Sequence, residues 1–251
     1  MVVVALLARD LDELWRGIRA VAAQVLMQPV MLLLVFGVVL PRLGYTPIGY
    51  DAVLLPGLVA LNAFFAAVQN ASFPLAMDFA TGEIEARLAL PVAWGWLAIE
   101  KVLAAAARGL LTAVLMVPIG AAMLGGLDWR ESGIAPAAGC VVLGALCGGA
   151  LGVCIGTTVP PRRIGVVFAV VMPPLLFTGS AQFPFPQLEA VPWFAVVCAL
   201  NPMTYISEGL RGALTPAVPH LSLPLCAGTL AAATTLLLAI AVWTFRRRAA
   251  L

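Results

Sequence analysis

Few residues in this sequence could do chemistry, and their numbers exclude most familiar arrangements. There is one lysine, Lys101, and it is followed by Val102. A phosphate-cradling loop needs Gly-Lys-Ser/Thr, so the chain carries no such nucleotide site itself. There is one histidine, His220, in a proline-rich turn, where it reads as an exposed loop residue. His220 could be set beside Ser180 of the TGSAQ segment as a hydrolytic pair, but no buried acid accompanies them to complete a triad. The five cysteines show no paired spacing and imply no disulfide framework. Cys140, Cys147 and Cys154 recur at every seventh position and share a helical face. Successive ones would lie about 10 Å apart along the axis, too far to share a metal. Gly144, Gly148, Gly152 and Gly156 repeat every fourth position on the same helix, a spacing that lets helix backbones approach closely. Both sets read as packing.

What remains is polar chemistry in apolar surroundings. Asn62, Gln69 and Asn70 stand at i, i+7, i+8 in the charge-free run 52–77. Amides in hydrocarbon are costly unless they face protein or water, so they serve either interhelical hydrogen bonding or a pathway. Lys101 can extend its ammonium to an interface. Arg108, seven residues further in, needs an acid or water, and an intramembrane base is a functional candidate with a structural ion pair as the alternative. The most densely charged segment between apolar runs is Asp78 to Lys101, with Glu83, Glu85, Arg87 and Glu100 inside it. There Thr81-Gly82 precede a helical run, Glu83 to Leu90, that Pro91 stops. Its early acids suit the helix dipole, and Ile84, Leu88 and Ala89 give it a small apolar face. It is either a solvated connection between spans or a helix that docks on a partner.

The elements that must position these residues are membrane spans. The sequence is 63% hydrophobic and 10% charged over 251 residues, where a soluble domain is about 25% charged. An all-α integral membrane protein follows, forming a single transmembrane domain over 1–251. Residues 1–19 place Leu7, Leu11, Leu14, Trp15 and Ile18 on one stripe, as in an amphipathic helix lying in the interface. Spans are expected at 20–41, 52–77, 102–127, 134–159, 164–182 and 221–245. The first is about 33 Å long as a helix, enough to cross, and lacks a cleavage pattern, so it reads as a span and not a secretory signal. Met172-Pro173-Pro174 should kink the fifth span.

The segment 183–212 contains a charge-free run, but Pro192 and Asn201-Pro202 cut it into pieces of about nine residues, roughly half a crossing. It is read as a re-entrant helical hairpin. Asn201 suits an N-cap, Pro202 the first turn and Gly212 the C-terminal cap, and Glu208 and Arg211 are spaced to pair. With six spans, eleven basic residues (Arg9, Arg16, Arg19, Arg87, Lys101, Arg108, Arg162, Arg163, Arg246, Arg247, Arg248) fall on one side and three (Arg42, Arg130, Arg211) on the other. This asymmetry expects both termini and the 78–101 stretch in the cytoplasm.

The chain resembles the permease subunits of type-2 ABC exporters, the drug- and polysaccharide-exporting class. The resemblance is carried by six spans after an interfacial helix, by GEIEARLALPVAWGWLAIEK between spans two and three, and by FPFPQLEAVPWFAVVCALNPMTYISEGLRG between spans five and six. It implies an exporter of a lipophilic drug-like or lipid-linked substrate in a bacterial plasma membrane. It further implies a second permease copy or paralogue around a central pathway, with membrane lipid about it and no nucleic acid. A separate cytoplasmic ABC ATPase would bind ATP and Mg, and the chain itself would be no enzyme and hold no cofactor. Glu83, Ile84, Glu85, Arg87, Leu88 and Pro91 would form the coupling helix. Asn62, Gln69, Asn70, Lys101 and Arg108 would be pathway candidates. Pro184, Asn201, Pro202, Tyr205, Glu208 and Arg211 would shape the outer hairpin. The alternative is a secondary transporter or channel without an ATPase; inverted repeats or acids within spans would mark it, and neither is clear.

Overall fold

The computed structural model describes residues 27–45, 49–89, 93–124 and 129–250. The expected interfacial helix 1–19, the first part of span 20–41 and Pro91 lie outside the described residues, as do the side chains of Arg87 and Leu88. Regular structure among the described residues is helical throughout. In chain order the helices are α1 (Met27–Arg42), α2 (Asp51–Thr81), α3 (Glu83–Leu88), α4 (Trp94–Leu124), α5 (Ile134–Thr158), α6 (Pro161–Thr178), α7 (Pro192–Ala199), α8 (Pro202–Leu214) and α9 (Leu223–Ala249). Of these, α2, α4, α5, α6 and α9 are long and apolar enough to cross a membrane, and α1 is a shorter apolar helix. Its Leu33–Val39 segment is wound as a π-helix.

The bundle is built around α2, the most enclosed of the long helices; α6 is the most exposed. Lipid is as apolar as leucine, so helices gain little by hiding apolar side chains from it and associate through close contact instead. The glycines of α5 supply that contact. A Cβ added to Gly148 would stand 2.5 Å from the Phe64 carbonyl oxygen, one on Gly152 2.5 Å from that of Val68, and one on Gly156 2.8 Å from that of Ser72. Both helices thus advance by four residues at each contact, and run side by side in the same direction. Gly109 of α4 faces the Ala63 carbonyl on another side of α2, and a Cβ added to Gly149 of α5 would stand 2.8 Å from the Val102 carbonyl oxygen of α4. Gly144 lies against Ile206 of α8. The cysteines Cys140 and Cys147 are buried in this interior.

Helix α6 continues through Pro173 and Pro174 and ends at Thr178. The chain then makes a 3₁₀ turn, Phe185–Ala190, before α7 and α8. These two helices have 8 and 13 residues, and both are too short to span about 30 Å of hydrocarbon. The break between them is set locally. The Asn201 side chain accepts from Met203 N–H at 3.0 Å and Pro202 opens the helix. Two expectations fail at the other end of α8. Gly212 is not a C-terminal cap: the helix runs on to Leu214 and its cap is Thr215, whose hydroxyl donates to the Ala52 carbonyl at 3.1 Å. Gly212 instead makes room for the His220 ring, 2.7 Å from where a Cβ would stand. His220 is correspondingly half-buried and not a free loop residue.

Candidate functional site

At one end of the bundle, α8 builds a buried polar clasp. Arg211 and Glu208 lie one turn apart on its inner face, and both are fully buried. Their ion pair is 2.6 Å long. Burying two charges is tolerable only if their remaining donors and acceptors are met, and here they are. Arg211 donates to the carbonyls of Val53 (3.1 Å), Ala181 (2.9 Å) and Ser180. Glu208 accepts the N–H groups of Phe185 and Leu221, each at 2.9 Å. The clasp thereby joins the start of α2, the turn after α6, the 3₁₀ turn and the entry to α9.

The backbone is shaped for it. Ser180 has φ +50°, the one non-glycine positive φ among the described residues, a conformation that costs roughly 1–2 kcal/mol. It helps turn two successive carbonyls toward Arg211. Gly57 lets that turn lie directly on α2, where a Cβ would overlap the Ala181 carbonyl. Tyr50 donates to the Gln182 carbonyl at 2.7 Å. Burial raises the pKa of this phenol, and the nearby Arg211 charge opposes the rise. Tyr205 donates to the Ala199 carbonyl at 2.8 Å, and Asn201 donates to the Leu175 carbonyl at 2.7 Å, so α7 and the end of α6 are fastened to α8 as well. Pro184 is buried at the start of the 3₁₀ turn.

The opposite end carries the charged stretch. Gly82, at φ +79°, ends α2 in a left-handed turn that glycine adopts without strain, and α3 follows at once. Glu83 and Glu85 are exposed, whereas Ile84 is buried in a cluster with Leu75, Leu97, Val102 and Phe245. The apolar face expected to be free for a partner is therefore, at Ile84, turned into the chain's own core. Lys101 reaches Asp78 at 3.4 Å across α2 and α4, so it ends in an ion pair and not at an open interface. Glu100 beside it is also buried. Sequence reasoning passed over Asp78 and Glu100 as site residues; their placement at the two margins of the α3 region was the available signal.

Residues 1–215 match the family described as ABC-2 type transporter. The chain belongs to that family. No curated protein matches it.

In this ABC-2 chain the three amides of α2 are separated. Asn62 is buried, and neither of its amide atoms has a hydrogen-bond partner among the described residues. Asn70 returns its amide to the Ala66 carbonyl of its own helix at 2.8 Å. Gln69 opens into a cavity of about 410 Å³ between α1, α2 and α6, which it lines together with Gln28, Leu32, Phe168, Met172 and Leu176. Gln28, the second residue of α1, is a further amide that sequence reasoning missed. Arg108 is half-buried on α4, away from this cavity's lining.

Proposed function

We propose that the chain is the membrane-spanning permease subunit of an ATP-driven exporter, moving a lipophilic drug-like or lipid-linked substrate out of the cytoplasm. The observation that carries this reading is membership of the ABC-2 transporter family over 1–215. In it, α1 belongs to the first of six crossings, the one expected from the sequence at 20–41. The excess of basic residues at the α3 end supports a cytoplasmic location for that end and for both termini, in a bacterial inner membrane. ATP and Mg are handled by a separate cytoplasmic ATPase, and a second permease copy or paralogue completes the pathway.

The geometry supports a division of labour along the bundle. Helix α3 presents Glu83 and Glu85 outward while Ile84 anchors it; a charged helix seated on the bundle in this way suits docking in an ATPase groove, with its acids setting register. The cavity at Gln69 and Gln28 is apolar with two amides, as a site for an amphipathic molecule should be. The clasp at Arg211 closes the end away from the ATPase. The test is recovery of a candidate ATPase subunit by tagged permease at matched expression. Glu85→Lys, at an exposed position, should lower recovery and substrate-stimulated hydrolysis at least tenfold, since like-charge contacts at an interface cost several kcal/mol and about 1.4 kcal/mol already makes one decade. Equal recovery and equal stimulation would remove the coupling role from α3.

A further inference from the structure

At the α3 end of the bundle, a cleft lies between the last turns of α5 and α9 and the first turn of α6. Its wider part, about 240 Å³, is lined by Thr157, Thr158, Trp243, Thr244, Arg247 and Arg248. A narrower part of about 60 Å³ continues past Arg248 to Phe79, Pro160 and Pro161. The Arg247 guanidinium lies 5.5 Å from the Trp243 ring centre, and that of Arg248 lies 5.7 Å from the ring centre of Phe79. Stacking on an aromatic face fixes a guanidinium without using its N–H donors. Neither arginine has a carboxylate partner among the described residues, where the ion pairs are Lys101–Asp78 and Arg211–Glu208. Among the described residues, no acid lines either part of the cleft. The hydroxyls of Thr157 and Thr158 donate to carbonyls of their own helix. The cleft therefore holds two oriented, solvent-exposed positive charges with no described carboxylate beside them, an arrangement that suits an anion.

The surrounding surface says which anion. On α9, Leu236, Ile240 and Trp243 are 62, 38 and 58% exposed and recur at helical spacing, ending at Arg247. On α6, Val170 and Val166, both 65% exposed, make a second stripe that ends at the exposed Arg162. Each stripe is apolar along its length and cationic at one end, and Trp243 stands one turn before Arg247, an order that suits an indole ring at a membrane interface. A small dissolved anion would need the arginines only; a phospholipid needs the arginines and the stripes. We propose that this cleft binds the phosphodiester headgroup of an anionic membrane phospholipid, with its acyl chains along the exposed faces of α9 and α6. Basic pockets between helices at a membrane surface suit this chemistry. The site is independent of which substrate the permease moves.

The experiment uses the delipidated full-length permease in mild detergent, with lipid retention read by native mass spectrometry after adding dioleoyl-phosphatidylglycerol or dioleoyl-phosphatidylcholine. Phosphatidylglycerol should be retained preferentially. The double variant Arg247→Ala/Arg248→Ala should lose that preference by about twenty-five-fold, at roughly fivefold for each surface arginine, while Arg42→Ala keeps it. Thr158→Glu places a carboxylate at an exposed position of the cleft and should also lose it; this variant serves if the double arginine variant does not fold. Unchanged phosphatidylglycerol retention in the folded variants would overturn the proposal. So would displacement of the lipid by millimolar inorganic phosphate at matched ionic strength, which would assign the cleft to a small anion. Loss of permease dimer or of ATPase recovery with lipid retention intact would overturn it in favour of a protein contact.

Discussion

Arg211→Ala should open the clasp. Arg211 is fully buried and serves four acceptors: the Glu208 carboxylate and the carbonyls of Val53, Ser180 and Ala181. Truncation leaves Glu208 with two backbone N–H donors but no counter-charge, and removing one partner of a buried pair costs about 3–5 kcal/mol. Each carbonyl left without a donor would add about 1–3 kcal/mol if it stayed dry. The turn can relax toward water instead, so the pair cost sets the scale. That is a shift of about two to nearly four orders of magnitude in the ratio of closed to open hairpin. Hydrogen–deuterium exchange on the full chain in nanodiscs should show peptides within 183–222 exchanging at least a hundredfold faster, with the α2–α5 contact unchanged as an internal reference. Export should fall while basal ATPase activity of the complex persists. Arg211→Lys should be intermediate, because a compact ammonium cannot span the positions a planar guanidinium reaches. Exchange within threefold of wild type in a folded variant would refute the reasoning.

Gly148→Ala should lower the denaturation midpoint, because its Cβ would stand 2.5 Å from the Phe64 carbonyl oxygen; prying the helices apart costs about 1–3 kcal/mol, and an unchanged thermal midpoint would contradict the packing described. Replacing Cys140, Cys147 and Cys154 together by Ala should leave transport nearly intact in assembled protein, since these thiols contribute packing and, at Cys154, one weak hydrogen bond to the Leu237 carbonyl at 3.8 Å; loss of transport in such protein would assign them chemistry. Asn62→Leu should leave stability unchanged or raise it by about 1–3 kcal/mol, because it removes a buried amide without a described partner; if export then fails at full stability, Asn62 serves the pathway and not the fold.

What was legible in the sequence was what local spacing encodes. A glycine at every fourth position of α5 announces backbone contact whatever lies opposite, and Asn-Pro announces a helix start from within the chain. The i, i+3 spacing of Glu208 and Arg211 announced a pair. It could not announce the rest of the clasp, because backbone carbonyls such as those of Val53, Ser180 and Ala181 have no residue signature. Nor could it tell which way a small apolar face turns: Ile84 marks a face equally well for a partner's groove or for the chain's own core. Gly212 was read as a cap because a glycine near a helix end usually is one. Its actual role, clearing space for an imidazole eight positions later, depends on a contact between segments. The same holds for Asp78 and Lys101, which are joined only because α2 and α4 run side by side.

Helix α2 is a single rod of 31 residues, about 46 Å from end to end at 1.5 Å per residue. One end is grasped by Arg211 through the Val53 carbonyl; the other passes through Gly82 directly into α3. Its two internal prolines, Pro56 and Pro74, stand just inside those ends, where each removes a backbone hydrogen bond and leaves a place to bend. All three glycine contacts with α5, at Phe64, Val68 and Ser72, fall between them. The rod is thus clamped and stiff along its middle and compliant at its tips, which is the construction of a pushrod with two joints. If α3 docks on an ATPase as proposed, a thrust on it would reach the first turn of α2, beneath the clasp, through this one helix.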